Sequence, residues 1–483
     1  MLSFDVDLSA PGVHEWIWDG QQWACQAGWI RPYAHPALTA TTDTRGSHTT
    51  FTVAENGEGG DFVSLDVGRT TARVQAGTLG RAPVYIRHRD GRLTGSWQIT
   101  DLMDQLPAGS LNERAIARAL TRRHRYSADT LFPDIIRLTE RATVAAGAVG
   151  IEVAYPEPIA HPFRRALKAG VDPTDVFARL TFDHLINRGV QAVELSGGVD
   201  SGVVAYDVFR ATGAQVLSFG LIMPGAHQQA QKERRAAICA AFYLADTEVQ
   251  AERNLPFGPG RRLALHDPSS SYYCEAFDVL AETAAAAGVR TMATGFGGDE
   301  LMACATDTRA IPTETRVPAW LGGKARAALE WIDDNGAPSA HLSHSTLTAL
   351  SSHAPGMLSA GIWQVAPLAD PRLMRLCRQL PETWVVGKRL IRERLSHELD
   401  PAIAGTPSPE SFRPLMQRAL TRFGLPLLET FLKQGMLLAD LGFVEPLVLQ
   451  AAIGTGRRTK NIDSQLADVI RLELGLRKLW SQP

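Results

Sequence analysis

The residues best suited to chemistry are Ser196-Gly197-Gly198-Val199-Asp200-Ser201, placed directly after the apolar run Val190 to Leu195 and directly before a helical pattern (Val203, Val204, Tyr206, Val208, Phe209). Two glycines let successive backbone N–H groups face one concavity, the serines add hydroxyl donors, and the helix N-terminus adds its dipole. Such a cradle suits phosphate. An aspartate fits among phosphates when a divalent cation joins them, because Mg²⁺ is held by one or two carboxylates plus substrate phosphates. The plain alternative is a tight βα turn in which Ser201 or Asp200 caps the helix, but both serines and the aspartate in this order favour the cradle. The other common phosphate loop, Gly-x-x-x-x-Gly-Lys-Ser/Thr, does not occur; Gly322-Gly323-Lys324 is followed by Ala325. A second glycine- and acid-bearing stretch, Thr294-Gly295-Phe296-Gly297-Gly298-Asp299-Glu300-Leu301, also ends a short apolar run.

The elements that must position these residues alternate. After a helix read as capped by Thr174 and ending at Gly189, strands at Val190–Leu195, Val216–Ile222, Thr247–Val249 and Arg290–Thr294 are separated by helices after the loop, near His227–Leu244 and over 275–287. This βαβα order predicts a doubly wound parallel sheet, whose ligands gather beyond the carboxyl ends of the strands at the switch point. If the strand before Gly295 neighbours the strand before Ser196, Asp299 meets Asp200. Upstream, Trp16–Trp23, Thr49–Val53, Phe62–Val67, Thr71–Ala76, Val84–His88 and Leu93–Ile99 read as short strands joined by turns such as Asp90-Gly91, a β-rich sandwich-like unit. A helix follows from Asn112 to about Arg123, and its Arg122-Arg123-His124-Arg125 end reads as a solvated helix terminus. Ala154 to Pro173 carries four prolines and reads as a linker. Beyond Leu301 the pattern is mainly helical, with helices from Pro371 and near Lys388, where Lys388 and Arg392 are spaced to share a face.

Composition narrows the classes. A chain of 483 residues, 45% apolar and 21% charged, suggests at least two globular domains. Forty-nine basic against 51 acidic residues leave a net charge of −2, which gives no global field for nucleic acid. No apolar run reaches the roughly 18 residues of a membrane span, and the first residues do not read as a signal peptide, so a cytoplasmic protein is expected. Cys25, Cys239, Cys274, Cys304 and Cys377 are scattered without Cys-x-x-Cys and read as core thiols.

The Ser-Gly-Gly-x-Asp-Ser pattern resembles the PP-loop of ATP pyrophosphatases. Paired with Thr-Gly-Phe-Gly-Gly-Asp-Glu-Leu, it is similar to the synthetase domain of the asparagine synthetase family, which includes β-lactam synthetases and lasso-peptide cyclases. The resemblance covers roughly residues 175–450; weaker similarity at Gly80–Ile86 and Ser96–Leu106 extends to the end of the family's glutaminase-like domain. It implies a degenerate glutaminase-like domain over 1–155 and an ATP-dependent synthetase domain over 165–483, with a helical C-terminal part. It further implies that Leu195, Ser196, Gly197, Gly198, Val199, Asp200, Ser201, Ser218 and Gly295 bind ATP, that Asp200 and Asp299 hold Mg²⁺, and that Lys388 faces the leaving pyrophosphate. The implied reaction is AMP-forming amide ligation between a small-molecule or peptide carboxylate and an amine. No membrane or nucleic-acid partner is expected, and a homodimer or a biosynthetic partner protein would be compatible.

Three departures shape that expectation. Leu2 and Ser3 follow Met1 where glutamine-dependent members expose a cysteine, so the amine should come from a substrate already carrying it. Phe296 stands where relatives place a glutamate or a tyrosine and cannot take a proton, which favours an intermolecular amide or a macrolactam over a β-lactam. Thr406 to Phe412 lacks the usual catalytic lysine, leaving Lys388, Arg389 or Arg392 to substitute. Tyr272, Tyr273, Trp320 and Trp363 are candidates for an acceptor pocket, weighed against a core role. Two other classes stay open: a pseudoenzyme or scaffold that keeps the nucleotide fold, and a PP-loop enzyme that modifies tRNA.

Overall fold

The computed structural model describes the chain except residues 11–13, 58, 104–105, 107–109, 161–169, 214, 261–272, 303–316, 401–402, 404–410, 460–461 and 481–483. Cys304, Tyr272, much of the proline-rich linker and most of the 406–412 segment therefore lie outside the described residues.

The N-terminal half is two antiparallel sheets. The first orders its strands β11-β9-β10-β1-β4-β3-β2, where β1 is Leu2–Asp7, β2 Ile17–Trp18, β3 Trp23–Cys25, β4 Gly28–Pro32, β9 Tyr85–Arg89, β10 Arg92–Ser96 and β11 Ile135–Arg137. The second runs β13-β12-β8-β7-β6-β5, with β5 Leu38–Arg45, β6 His48–Glu55, β7 Phe62–Val67, β8 Thr71–Ala76, β12 Thr143–Gly147 and β13 Gly150–Ala154. Period-two burial along β1, β6, β7 and β8 turns Phe4, Val6, Phe51, Val53, Val63, Leu65 and Val74 into one shared core. Helix α1 (Glu113–Thr121) begins at Asn112, whose side chain accepts from the Ala115 N–H. Its far end is not solvated. Arg122 adopts the left-handed conformation and pairs with buried Asp468 at 2.6 Å, while Arg125 reaches Asp333, so this cluster fastens α1 to the C-terminal half.

The second half is built on a parallel sheet ordered β16-β15-β14-β17-β18: β14 Ala192–Glu194, β15 Leu217–Ile222, β16 Ala245–Gln250, β17 Thr291–Ala293 and β18 Trp363–Val365. Its connections include α3 (Val199–Thr212), α4 (Gln228–Ala241) and α5 (Cys274–Ala286), preceded by α2 (Pro173–Leu185). The cap of α2 is Asp172, which accepts from the Thr174 N–H, with Pro173 at the first helical position; Thr174 lies inside the helix. Chain order reverses between β14 and β17, paired in parallel at Ala192–Met292 and Val193–Ala293. That pairing makes the two glycine-rich turns neighbours. Helices α6 (Gly298–Leu301), α7 (Gly323–Ala327), α8 (His344–Ser359), α9 (Pro371–Gln379), α10 (Glu382–Val385) and α11 (Arg389–Ser396) follow, and further helices extend to Trp480. Among the described residues no helix is long and apolar enough to cross a membrane.

The halves are joined by a buried ionic lock. Glu55 Oε1, on β6, lies 2.6 Å from both Arg81 and Arg188 and accepts from Trp363 Nε1 at 2.9 Å, with all three charged side chains at most 2% exposed. Arg81 also donates to the Gln364 carbonyl, and the Tyr33 hydroxyl donates to the Leu358 carbonyl. Burial opposes the Glu55 charge, but the two guanidinium groups overcome it and bring its carboxyl down to about 2.

Candidate functional site

The phosphate-cradle residues form one loop at the top of β14. Gly197 sits at φ +91°, the left-handed region that favours glycine. The two serine hydroxyls lie 3.0 Å apart, Ser201 Oγ accepts from the Ser196 N–H at 3.1 Å, and Ser196 Oγ accepts from the Gly198 N–H at 3.2 Å. They latch the loop onto itself. The Gly202 N–H to Gly198 carbonyl bond is the first of α3, so the N–H groups of Val199, Asp200 and Ser201 are left over by the helix, and Gly198 supplies no side-chain cap. Free donors for an anion are therefore backbone amides and the helix dipole rather than the hydroxyls.

The second turn packs against the first. A Cβ on Gly295 would stand 3.0 Å from the Ser201 nitrogen, and one on Gly298 would stand 2.4 Å from Asp200 Cγ. Both glycines allow the close approach. Asp200 and Asp299 then meet on a single ammonium: Lys388 Nζ is 2.5 Å from Asp200 Oδ2 and 2.5 Å from Asp299 Oδ1. Burial pushes the Asp200 carboxyl up, with Lys388 pulling the other way. Burial works against the Lys388 charge too, yet the two carboxylates more than reverse it and hold the ammonium above its ordinary range. Lys388 does not share a helix face with Arg392. It is the left-handed residue ahead of α11 (φ 58°), turned to the aspartates, while Arg392 Nε donates to the Gly387 carbonyl.

The donor set fits a magnesium ion. Asp200 Oδ1 is buried without a hydrogen-bond partner, Asp299 is 83% exposed beside it, and a cation already bridges the two carboxylates. Among the described residues there is no cluster of three or more His, Cys, Asp or Glu able to hold a metal alone, so an ion at Asp200 and Asp299 would need further ligands from phosphates and water.

Other expected site residues lie elsewhere. Ser218 is at the register of Val193, below the loop, completely buried and facing Cys239 of α4, so it does not join the cradle. Trp320 and Trp363 are core residues, 2% exposed each, whereas Tyr273 packs against Phe412 with centroids 4.5 Å apart and rings tilted by 37°, and lines a cavity. Cys239, Cys274 and Cys377 are buried free thiols and Cys25 is half-buried. The cradle's supports were not foreseen. Gln231 Nε2 donates to the Ser196 and Leu221 carbonyls at 2.9 Å each, and Arg234 Nε donates to the Gly197 carbonyl at 3.1 Å. The available signal was Gln231, Arg234 and Arg235 at spacings three and four on a helix that must cover a parallel sheet, an expensive face for polar residues unless they are bonded. Glu194, the last residue of β14, was also overlooked: its Oε2 is buried without a partner, and burial pushes its carboxyl up to about 7.

No protein-family model matches the chain, and no curated protein matches it. Among solved structures, the chain is similar to a U34-tRNA thiolase, NcsA, from Methanococcus maripaludis with its 4Fe-4S cluster, at 14% identity and a TM-score of 0.28, over 63% of this chain and 89% of that one. A likeness of that size carries no inference about the site.

Proposed function

We propose that the chain is an ATP-dependent, AMP- and pyrophosphate-forming amide ligase that works without glutamine hydrolysis. The observation that carries this reading is the meeting of Asp200, Asp299 and Lys388 beside a glycine loop whose leftover amides sit at the start of α3. In it, the ATP phosphates lie against the Ser196–Ser201 loop, and Asp200 and Asp299 hold Mg²⁺. The ion supplies charge neutralisation on the phosphates.

The chain's own residues do the rest. Backbone amides of the first turn of α3 orient the phosphates, and the glycines at 295 and 298 keep the second turn close enough for its aspartate to reach the same point. A substrate carboxylate oxygen bonds to the α-phosphorus as the bridging bond to the β-phosphate breaks, and pyrophosphate leaves. Lys388, released from the carboxylates, offsets the charge gathering on that leaving group. An amine nitrogen then bonds to the acyl carbon, the bond to AMP breaks, and the nitrogen gives up a proton. Phe296 shapes the pocket and takes no proton.

The test is pyrophosphate release that requires ATP, Mg²⁺ and a carboxylate. Asp200→Asn and Asp299→Asn should each lower it at least about 100-fold, the scale of losing one pre-organised electrostatic group. Full activity in both would remove the metal assignment.

A further inference from the structure

A cavity of about 550 Å³ opens between the two halves, within the roughly 300–1,000 Å³ of pockets that enclose a drug-sized ligand. One wall is a continuous run of rings. Tyr273 meets Phe412 at 4.5 Å between centroids, Phe412 meets Phe277 at 5.8 Å, Phe277 meets His353 edge-on at 4.3 Å, and His353 meets Phe296 at 4.7 Å. Each ring is only half-buried. The run ends at Phe296, three residues before Asp299, so along the chain it adjoins the segment that carries one of the two carboxylates.

The facing wall comes from α1 and the segment after it, and the charges of Arg118 and Arg125 are already engaged. Arg118 donates to the Ile332 and Asp334 carbonyls, to Ser127 Oγ and to Asp129, and Arg125 pairs with Asp333. His124 is kept neutral near pH 7, its pKa brought down to about 4 by burial and by neighbouring arginines. Arg137 also lines the cavity: it donates to the Ser127 carbonyl and lies over the Tyr126 ring, while its Nε is buried without a partner.

We infer that this cavity is the acyl-substrate chamber and takes a carboxylic acid with a flat aromatic body, laid along the Tyr273–Phe296 ring run with its carboxylate toward Asp299 and Lys388. The inference rests on the ligase reading for the role of the carboxylate. Stacking on half-exposed rings removes apolar surface from water on both partners and favours a flat ring over an aliphatic chain.

The test titrates the full-length protein, with Mg²⁺ and α,β-methylene-ATP present, with 3-(2-naphthyl)propionate and with butyrate. Wild type should bind the naphthyl acid at least tenfold more tightly. Ala349→Trp, which fills the cavity from α8, should lower that affinity at least tenfold, and Phe277→Ala several-fold. Stabilisation of each protein by ATP and Mg²⁺, read as a melting shift, should stay at the wild-type value. Equal affinity for the two acids, or a naphthyl affinity unmoved by Ala349→Trp, overturns the chamber. Absence of any ATP and Mg²⁺ shift in wild type, with naphthyl binding and its variant pattern intact, overturns the ligase reading instead and leaves an aryl-acid site.

Discussion

Replacing Lys388 by methionine should have opposite effects on metal binding and on turnover. The ammonium sits 2.5 Å from one oxygen of each aspartate, so on the proposed reading Mg²⁺ would have to displace it from the two carboxylates. The contact with Asp299, whose side chain is 83% exposed, is screened by water and contributes at most about 1 kcal/mol. The contact with Asp200, 19% exposed, is a partly buried charge-assisted hydrogen bond of roughly 1.5–3 kcal/mol. Mg²⁺ binding to the nucleotide-free Lys388→Met protein should therefore tighten by about 10- to 100-fold, since each 1.4 kcal/mol or so is a factor of ten. Calorimetric titration at pH 8 reads the affinity of both proteins. ATP- and carboxylate-dependent pyrophosphate release should meanwhile fall roughly 100-fold or more, because a charge facing the leaving group is gone. General damage to the site would weaken both. Unchanged or weaker Mg²⁺ binding in Lys388→Met would refute the idea that lysine and metal compete for the two carboxylates.

Gly298→Ala should displace the Asp200 carboxylate, because its Cβ would lie 2.4 Å from Asp200 Cγ; Mg²⁺ affinity should drop and stability fall by about 1–3 kcal/mol, the usual cost of overpacking, as read by titration and urea unfolding. Glu55→Gln leaves Arg81 and Arg188 buried without a counter-charge and should cost about 3–5 kcal/mol at pH 7 in urea unfolding. The Glu55 contribution, set by a carboxyl lowered to about 2, is complete above its ordinary pKa of 4.5 and should fade as pH falls toward 2. Glu194 has the opposite sign. Its carboxyl is raised from 4.5 to about 7, so the unfolded chain releases the proton first and stability drains as pH rises through that window, by up to about 3 kcal/mol. Glu194→Gln should match wild type near pH 4 and exceed it by about 1–3 kcal/mol at pH 8, and equal stabilities at pH 8 would show that Glu194 ionises freely in the fold.

What the sequence disclosed was local punctuation and period. The Ser196–Ser201 turn follows an apolar run and precedes a helix pattern, and alternation along Thr71–Ala76 places Ala72, Val74 and Ala76 inward; such signals lie within a few residues of one another. The neighbouring of β14 and β17 was only a condition at the level of sequence, and the strand pairing supplies it. Misreadings occurred where one residue has two local uses. Pro173 suits a linker and the first position of a helix equally, and Asp172 decided for the helix. Lys388 and Arg392 are spaced for one helical face, but the left-handed backbone at Gly387 and Lys388 starts the helix only at Arg389 and turns the lysine away. Nothing in Arg122–Arg125 announces that Asp468 will cover it, since the partner is supplied by tertiary packing.

The junction between the halves explains why an N-terminal unit without an evident chemistry of its own would be kept. Its β6 strand contributes Glu55, which fixes Arg188 beyond α2 and Trp363 at the start of β18. Strand β18 in turn borders β17, whose following turn bears Asp299 and Phe296, and Gly297 in that turn lies against the Leu368 carbonyl just past β18. The same unit, through α1 and Ser127, forms the wall facing the aromatic run. Removing it would expose Arg188 and Trp363, the partners of Glu55, and open one side of the cavity at once. Loss of the Glu55 lock should therefore weaken aryl-acid binding through the position of Phe296 before it affects the α3 cradle, which is braced by Gln231 and Arg234 from within its own sheet. In Glu55→Gln, a naphthyl-acid affinity that falls while the ATP and Mg²⁺ melting shift persists is the expected pattern. The reverse order would mean that the lock supports the nucleotide loop and not the chamber.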